Sequence, residues 1–500
     1  MRKLNKNDIM LFIVLCCFSC IIFNGYLKEH YSADTFMILN KGYENYAIGN
    51  SLLDGRIFMY IIGILAYKSD FSIVLYAIIL ELLAIIVTCI NVIILKNIVI
   101  KYKKISKTWQ NIFLIIVCYY TLFNYTYIDN MYFVECFVMS LSMLFYLLAA
   151  KEFTVKDRIN YFKIISFVFL GLISYQGTIS AFFIFTFVFS MLNGKKVADI
   201  LKDLARALLC FIIAFIPDYL CIRITEKIFN IVQIRESNIH QMFFSIRFLI
   251  SNFLGILIKT SNLFPKYLYI IFIISIGIIV TIKIVKQNNK EYNKQNQIIL
   301  FEQFFIIIAG IIFAFIPSIY SLTAFNSARI RFSLGAIVGL LFIHLITKTD
   351  ILELKVKFDK ILIGIFILYG IINSINYLYL INLNNWTNEL DKKSVKEIEN
   401  YIERYENDSS IDVKNIAIVI VPKNIEKAYY KQMNCKYIGV AVSAVRTDYA
   451  AQGIINYYTK KNLQKKECAL EEIKTYAEKV DEDKGYLCIG DTLYISVYWY

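Results

Sequence analysis

Residues 31–56 read YSADTFMILNKGYENYAIGNSLLDGR and follow the first apolar run of the chain, residues 9–27. The charged side chains that matter most in this stretch are Asp34, Glu44, Asp54 and Arg56. The sequence on either side is compatible with hydrocarbon, where unpaired polar groups are costly. Polar chemistry therefore first becomes feasible here, at a membrane surface, and we expect the chain to be organised around this loop.

The composition indicates a polytopic membrane protein. Of the 500 residues, 58% are hydrophobic and only 18% are charged, which is too apolar for a soluble enzyme. In a soluble protein a net charge of +14 would suggest nucleic-acid binding. Here the Lys and Arg residues cluster between apolar runs, so we interpret them as signals of membrane topology and expect no nucleic-acid partner.

Eleven apolar runs are predicted to cross the membrane, and they are residues 9–27, 71–95, 109–128, 131–150, 164–177, 178–192, 207–222, 267–282, 298–320, 333–347 and 361–380. Run 57–67 is shorter than the roughly 17 residues that a span needs, so it is predicted to lie on the outer surface. With the N-terminus cytoplasmic, the inside segments hold 24 Lys and Arg against 12 in the outer loops before residue 381. This excess follows the positive-inside rule.

The runs 164–177 and 178–192 form a hairpin that turns at Tyr175, Gln176 and Gly177. Each half is at the lower limit of a spanning length. Two full crossings and a re-entrant pair both remain open.

Two domains are predicted from the change in composition at residue 381. Residues 1–380 form the transmembrane domain, with outer loops at 28–70 and 223–266. Residues 381–500 are rich in charge, with strand patterns at 416–421, 437–442 and 492–498 and helix patterns at 449–463 and 469–480. By the alternation of spans, this small α/β domain is extracytoplasmic.

The outer surface combines carboxylates with arginines. A general base must reach an acceptor hydroxyl, and cations must stabilise a departing lipid phosphate. Asp34 is the candidate base, and the candidate phosphate-binding cations are Arg56, Arg329 and Arg331. The alternative is that Asp34 caps a helix beginning at Thr35 and that Arg56 extends to lipid headgroups.

Several short motifs carry a family resemblance. The order of a single span, SADTF, DGR before a hydrophobic surface helix and YQG at a hairpin tip resembles the GtrII family of bacterial glucosyltransferases. Residues 443–458, SAVRTDYAAQGIINYY, are similar to the pattern near the end of that family. These enzymes are polytopic and have the GT-C architecture.

The resemblance implies an inverting hexosyltransferase, most simply a glucosyltransferase, of the cell membrane. Its donor would be a polyprenyl-phosphate sugar and its acceptor a cell-surface glycan. The essential acid of the first outer loop corresponds to Asp34, the arginine after the glycine to Arg56, and the hairpin tip to Tyr175 and Gln176. Many related enzymes have adjacent carboxylates in this loop, where this chain has alanine and threonine, so we expect neither a tightly bound metal nor a cofactor.

Six further polar residues are candidates for lining the site: His30, Glu44, Asp54, Asp129, Glu135 and Asp218. Ionisable groups in or near apolar spans are expensive and mark functional positions. Two other functions remain open, a flippase or transporter for lipid-linked glycans and a glycan polymerase. Each would also contact membrane lipid.

Overall fold

The computed structural model describes residues 6–154, 159–230, 239–261, 263–265, 267–286, 290–319, 327–354, 356–421, 441–480 and 484–498. Residues 437–440 of the strand predicted at 437–442 and part of the predicted outer loop at 223–266 lie outside these residues. Within them the protein is mostly helical, with a small sheet near its C-terminal end. This architecture is compatible with a polytopic membrane protein.

The first part of the chain consists of helices joined by short connections. They are α1 (Lys6–Ile22), α2 (Ala33–Lys41), α3 (Ile57–Lys68), α4 (Ile73–Tyr102), α5 (Thr108–Leu122), α6 (Cys136–Thr154), α7 (Tyr161–Ser174), α8 (Ser180–Leu192), α9 (Val197–Phe229), α10 (Ile239–Ser251), α11 (Phe253–Ser261), α12 (Leu268–Lys286), α13 (Lys290–Phe313) and α14 (Ile337–Lys348). Shorter helical turns lie at Tyr43–Tyr46, Ala47–Leu52, Tyr127–Met131, Gln176–Thr178, Ile316–Ile319, Ala328–Ile330, Phe332–Gly335 and Ile351–Glu353.

In the described part of the chain, six helices are long and apolar enough to cross a membrane: Ile73–Tyr102, Cys136–Thr154, Val197–Phe229, Leu268–Val285, Gln297–Ile319 and Lys357–Ser409. Shorter apolar helices accompany them, including α1, α5, α7, α8 and α14. The apolar run at 57–67 forms helix α3. The number of crossings stays a prediction.

The packing separates an interior from an apolar outer surface. Every residue of α8 is buried, so this helix lies inside the bundle. By contrast, Ile212 and Ile216 on α9 and Ile274 and Ile278 on α12 are exposed. Large aliphatic side chains in a row are unfavourable against water and favourable against hydrocarbon. The outer faces of these helices are therefore suited to lipid.

Ion pairs join the helix ends that face away from the residue 31–56 loop. They are Lys96 with Asp8, Lys103 with Asp350, Lys195 with Asp203 and Lys283 with Asp359. Asp8 lies at the start of α1, and residue 31 follows its other end. The basic segments predicted to be cytoplasmic thus lie at one end of the bundle, and the candidate site lies at the other.

The C-terminal region begins inside a single long helix, α15 (Lys357–Ser409), which runs through the predicted domain boundary at residue 381 without a break. Beyond it lie β1 (Asn415–Val421), α16 (Ala451–Thr459), β2 (Gln464–Lys466), α17 (Leu470–Lys479), β3 (Tyr486–Ile489) and β4 (Thr492–Tyr498). The strand order is β2-β1-β4-β3. Strand β1 pairs parallel with β2 and β4, and β3 pairs antiparallel with β4.

Candidate active site

Ser32, and not Asp34, caps helix α2. The Ser32 Oγ accepts a hydrogen bond from the Thr35 backbone N–H at 3.3 Å, and the Thr35 hydroxyl accepts one from the Ser32 N–H at 3.1 Å. The helix begins at Ala33, so the alternative in which Asp34 caps a helix starting at Thr35 is wrong. Asp34 is half-buried in the first helical turn, where the helix dipole favours a negative charge.

Arg56 and Glu135 form a buried ion pair at the start of α3. Nη1 of Arg56 donates to the two Glu135 oxygens at 2.8 and 2.7 Å, and Nη2 lies 3.4 Å from Asp54 Oδ2. Burial alone would lower the pKa of Arg56, but Glu135 and Asp54 raise it above its ordinary value. The guanidinium is thus held by protein carboxylates, which argues against an extension to headgroups.

Gly55 allows the DGR segment to touch the hairpin tip. Its φ of +77° lies in the left-handed region, which favours glycine. A Cβ added there would lie 2.8 Å from Gln176 Nε2 and 3.1 Å from Asp218 Oδ1. Gln176 Nε2 donates to the Asp54 carbonyl at 2.9 Å, and the Gln176 side chain lies close enough to Asp218 to affect the pKa of its carboxyl. Three distant parts of the sequence therefore meet at one glycine.

Asp129 organises the opposite wall of the cluster. Its Oδ2 accepts hydrogen bonds from Ser327 Oγ at 2.5 Å and from the Arg329 backbone N–H at 2.8 Å. Burial raises the pKa of Asp129, and the nearby Arg329 and Ser327 act in the opposite direction. The Asp129 carboxyl thus fixes the short segment on which Arg329 is carried.

Arg329 connects this wall to Tyr175 and to Asp34. Its Nε donates to the Tyr175 hydroxyl at 3.2 Å, and its guanidinium lies 3.7 Å from the centre of the Phe133 ring. Burial alone would lower the pKa of Arg329, but Tyr175, Asp129 and Asp34 raise it. Tyr175 also lies under Arg56, with 5.1 Å between the guanidinium carbon and the ring centre. One tyrosine at the hairpin tip therefore contacts both arginines.

The structure places three other predicted residues differently. Glu44 is exposed. His30 is buried, and its Nε2 lies 2.8 Å from Glu81 Oε1. Arg331 is fully buried, donates from Nη1 to the Ala314 carbonyl at 2.5 Å and lies over the Phe315 ring.

Burial lowers the pKa of Arg331 to about 9. Among the described residues its contacts are a carbonyl and an aromatic ring, so Arg331 lies in a different environment from Arg56 and Arg329. It lies apart from the cluster around Asp34, although the sequence made it a candidate phosphate-binding residue together with Arg56 and Arg329.

One residue of the cluster was not a sequence candidate. Burial and the nearby Asp34 carboxylate raise the pKa of Tyr449, which precedes α16, above its ordinary value. The available signal was the stretch at residues 443–458, which the sequence analysis singled out without assigning a role to any of its side chains. Only the packing of the C-terminal region onto α2 brings Tyr449 to Asp34.

The arrangement combines a half-buried carboxylate with two arginines at one end of an apolar bundle. Such a site offers a proton acceptor and cationic groups within one cluster, which suits the binding of an anionic phosphate. In the described part of the chain, no three His, Cys, Asp or Glu side chains are grouped in a way that would hold a metal ion.

Comparison of the sequence with known proteins identifies no family for the chain. No protein-family model matches the chain, and no curated protein matches it significantly in sequence.

Proposed function

We propose that this protein is an inverting membrane glycosyltransferase that moves a hexose, with glucose as the first candidate, from a polyprenyl-phosphate carrier to a cell-surface glycan. The observation that carries the proposal is the cluster of Asp34 with Arg329 and Arg56 at one end of a bundle of apolar helices. A lipid-linked donor would keep its chain in the bilayer and present its phosphate and sugar to such a cluster.

Asp34 is the general base of the proposed reaction. As the acceptor oxygen attacks the anomeric carbon, its proton passes to the Asp34 carboxylate. The bond between the anomeric carbon and the phosphate oxygen breaks, and its electron pair leaves with the polyprenyl phosphate. Attack on the face opposite to the leaving group inverts the anomeric configuration. Asp34 then releases its proton to water.

Arg329 is the arginine that we assign to the leaving phosphate. Asp34 contributes to the electrostatic environment of Arg329, so the base and this cation act on the same space. Arg56 has both oxygens of Glu135 bound to one nitrogen, and its charge is already compensated. Charge-assisted bonds to the leaving phosphate stabilise the transition state. Arg56 has a structural role, because its guanidinium packs over the ring of Tyr175.

The experiment is transfer of radiolabelled glucose from synthetic polyprenyl-phosphate glucose to crude envelope glycan by the purified protein. Asp34→Asn keeps the volume of the side chain and removes the base, so transfer should fall at least about 100-fold. Donor binding, measured with a fluorescent polyprenyl phosphate, should persist. Glu44→Gln removes an exposed carboxylate in the same loop and is the matched control, with transfer equal to wild type.

Two results would overturn the proposal. If Asp34→Asn and the wild type transfer sugar equally, Asp34 is not the base. If the wild type transfers nothing from several donor sugars but moves a labelled glycolipid between vesicle leaflets, the protein is a flippase.

A further inference from the structure

An apolar groove lies beside the helix that carries Asp34. Its volume is about 350 Å³. Ile38 and Leu39 of α2 line it, together with Phe71, Ile73 and Val74 at the start of α4. Sites for small molecules are likewise concave and mostly apolar, and their volumes begin at about 300 Å³. We call this cavity the α2–α4 groove.

Polar and aromatic contacts fix the walls of the groove. The Tyr43 hydroxyl donates to the Phe71 carbonyl at 3.0 Å, and the Tyr43 ring packs edge-on against Tyr76 of α4, with 5.1 Å between the ring centres. The Ser72 hydroxyl accepts a hydrogen bond from the Leu75 backbone N–H at 3.3 Å and caps α4. The groove is therefore shaped by the fold itself and needs no ligand to form.

One side of the groove adjoins the cluster around Asp34. Ile38 is four residues after Asp34 on α2, so the two side chains lie on the same face of this helix, one turn apart. The helical turn Tyr43–Tyr46 links the two places, because Tyr43 lines the groove and the Tyr46 hydroxyl donates to Glu135 Oε1 at 3.5 Å. The groove thus begins next to the residues to which we assign the reaction.

The groove also meets the lipid-facing surface. Helix α4 is long and apolar enough to cross a membrane, and the groove lies at its first turn. The large apolar side chains of Phe71 and Leu75 are exposed there. A Cβ added at Gly42 would meet nothing in the described structure within 4 Å, so the groove is open at this turn. A hydrocarbon chain lying in the groove can therefore continue into the bilayer.

We propose that the α2–α4 groove binds the isoprene units of the polyprenyl-phosphate donor that are nearest to its phosphate. This inference rests on the function proposed above. The phosphate must reach Arg329 beside Asp34, and the chain attached to it must leave the cluster towards the bilayer. The groove supplies apolar surface on that path, where burial of hydrocarbon is favourable.

An acyl chain of a bilayer phospholipid is the alternative occupant. It has the same hydrocarbon chemistry, but its headgroup brings no sugar to Asp34. The experiment therefore has to separate the two lipids by competition.

The first test is photolabelling of the detergent-solubilised full chain with a polyprenyl phosphate that carries a diazirine in its first two isoprene units. The label should be found on residues 38–43 or 71–74. Excess unlabelled polyprenyl phosphate should abolish this labelling, and the same excess of phosphatidylglycerol should leave it in place. Labelling confined to other helices, or equal displacement by both lipids, would overturn the proposal.

A pair of substitutions provides the second test. Val74→Trp places a large ring in the groove, whereas Leu75→Trp places the same ring at the next position, where the native side chain is 46% exposed. The Kd for a fluorescent long-chain polyprenyl phosphate should rise at least about 10-fold in Val74→Trp, because buried methylene groups of the chain lose their site. Leu75→Trp should bind it like the wild type. Wild-type affinity in a folded Val74→Trp protein would contradict the proposal.

The photolabel is measured on the unsubstituted protein, so it decides the question even if Val74→Trp does not fold. Neither readout depends on turnover. If the wild type transfers no sugar but is labelled in the groove as expected, the proposed function fails and the groove remains a polyprenyl-binding site. If the wild type transfers sugar and the label lies elsewhere, the reaction stands and the groove proposal fails.

Discussion

Arg56 and Glu135 are 79 positions apart in the chain, and their side chains meet as a buried pair. Neither residue alone reveals its partner in the sequence. Each charge has lost most of its water, and each compensates the other. The pair, together with Tyr175, therefore holds one wall of the candidate site in place.

Removal of one partner should destabilise the protein more than removal of both. In Glu135→Gln the Arg56 charge remains buried without its carboxylate, and the free energy of unfolding should fall by about 3 kcal/mol. Arg56→Gln should have a similar effect for the opposite reason. The double variant removes both partners of the pair and should be more stable than either single variant. Thermal unfolding in detergent measures all three.

The surface substitution Glu44→Gln serves as the control and should leave the unfolding midpoint unchanged. Single variants that unfold at the wild-type midpoint would contradict a buried, coupled pair.

Individual residues show how far the sequence alone could lead. Asp34, Arg56, Tyr175 and Gln176 were candidates because they stand in recognisable short patterns, and the structure brings them to one end of the bundle. Tyr449 and Asp34 are 415 positions apart, and their proximity depends on a fold that no local pattern encodes. Arg331 is buried against Ala314 and Phe315, a placement that no local pattern in the sequence indicates.

At the scale of elements, helix and strand positions follow from the apolar pattern. The turn at residues 175–177 separates α7 from α8 as predicted, and the strand patterns at 416–421 and 492–498 correspond to β1 and β4. Strands β2 and β3 were missed. They have three and four residues, which is too short for an alternating pattern to stand out.

The close backbone contact between α2 and α16, which we call the seam, can be tested at Gly453. A methyl group there would lie 2.2 Å from the Phe36 carbonyl oxygen, which is backbone and cannot turn away. Gly453→Ala should therefore cost about 1–3 kcal/mol through overpacking, more than the helix propensity of alanine returns. We also expect reduced sugar transfer, because α2 carries Asp34 and packs against α16 at this point. Thermal unfolding and the transfer assay measure these effects.

Gly364 in α15 is the matched control, because a Cβ added there meets nothing within 4 Å. Gly364→Ala should be neutral or slightly stabilising. If both substitutions have the same effect, the seam is not closely packed.

At the scale of the whole molecule, charge predicts the orientation. The segments predicted to be cytoplasmic contain the basic partners Lys96, Lys103, Lys195 and Lys283, which the structure places in ion pairs at helix ends. Composition predicted a membrane protein, and the apolar helices are compatible with one. The predicted domain boundary at residue 381 lies inside α15, which changes from apolar to charged without ending.

The orientation predicts which surfaces a membrane-impermeant maleimide can reach in intact cells. Glu44→Cys places a thiol on the proposed outer face and should be labelled, whereas Lys196→Cys, between α8 and α9, should react only after the cells are permeabilised. Both side chains are exposed, so burial does not separate them. The unsubstituted protein gives the background from native cysteines. Labelling of Lys196→Cys before permeabilisation would reverse the orientation.

Helix α15 also fixes the rotation of the C-terminal domain. With 53 residues it is about 80 Å long, whereas a bilayer core is about 30 Å thick. Each inserted residue turns a helix by about 100°. Asn388 on this helix exchanges two hydrogen bonds with the Tyr31 backbone, at 2.7 and 2.9 Å, so the angle is matched to the first outer loop. An insertion of one or two residues in α15 before Asn388 would therefore turn the C-terminal domain away from the first outer loop.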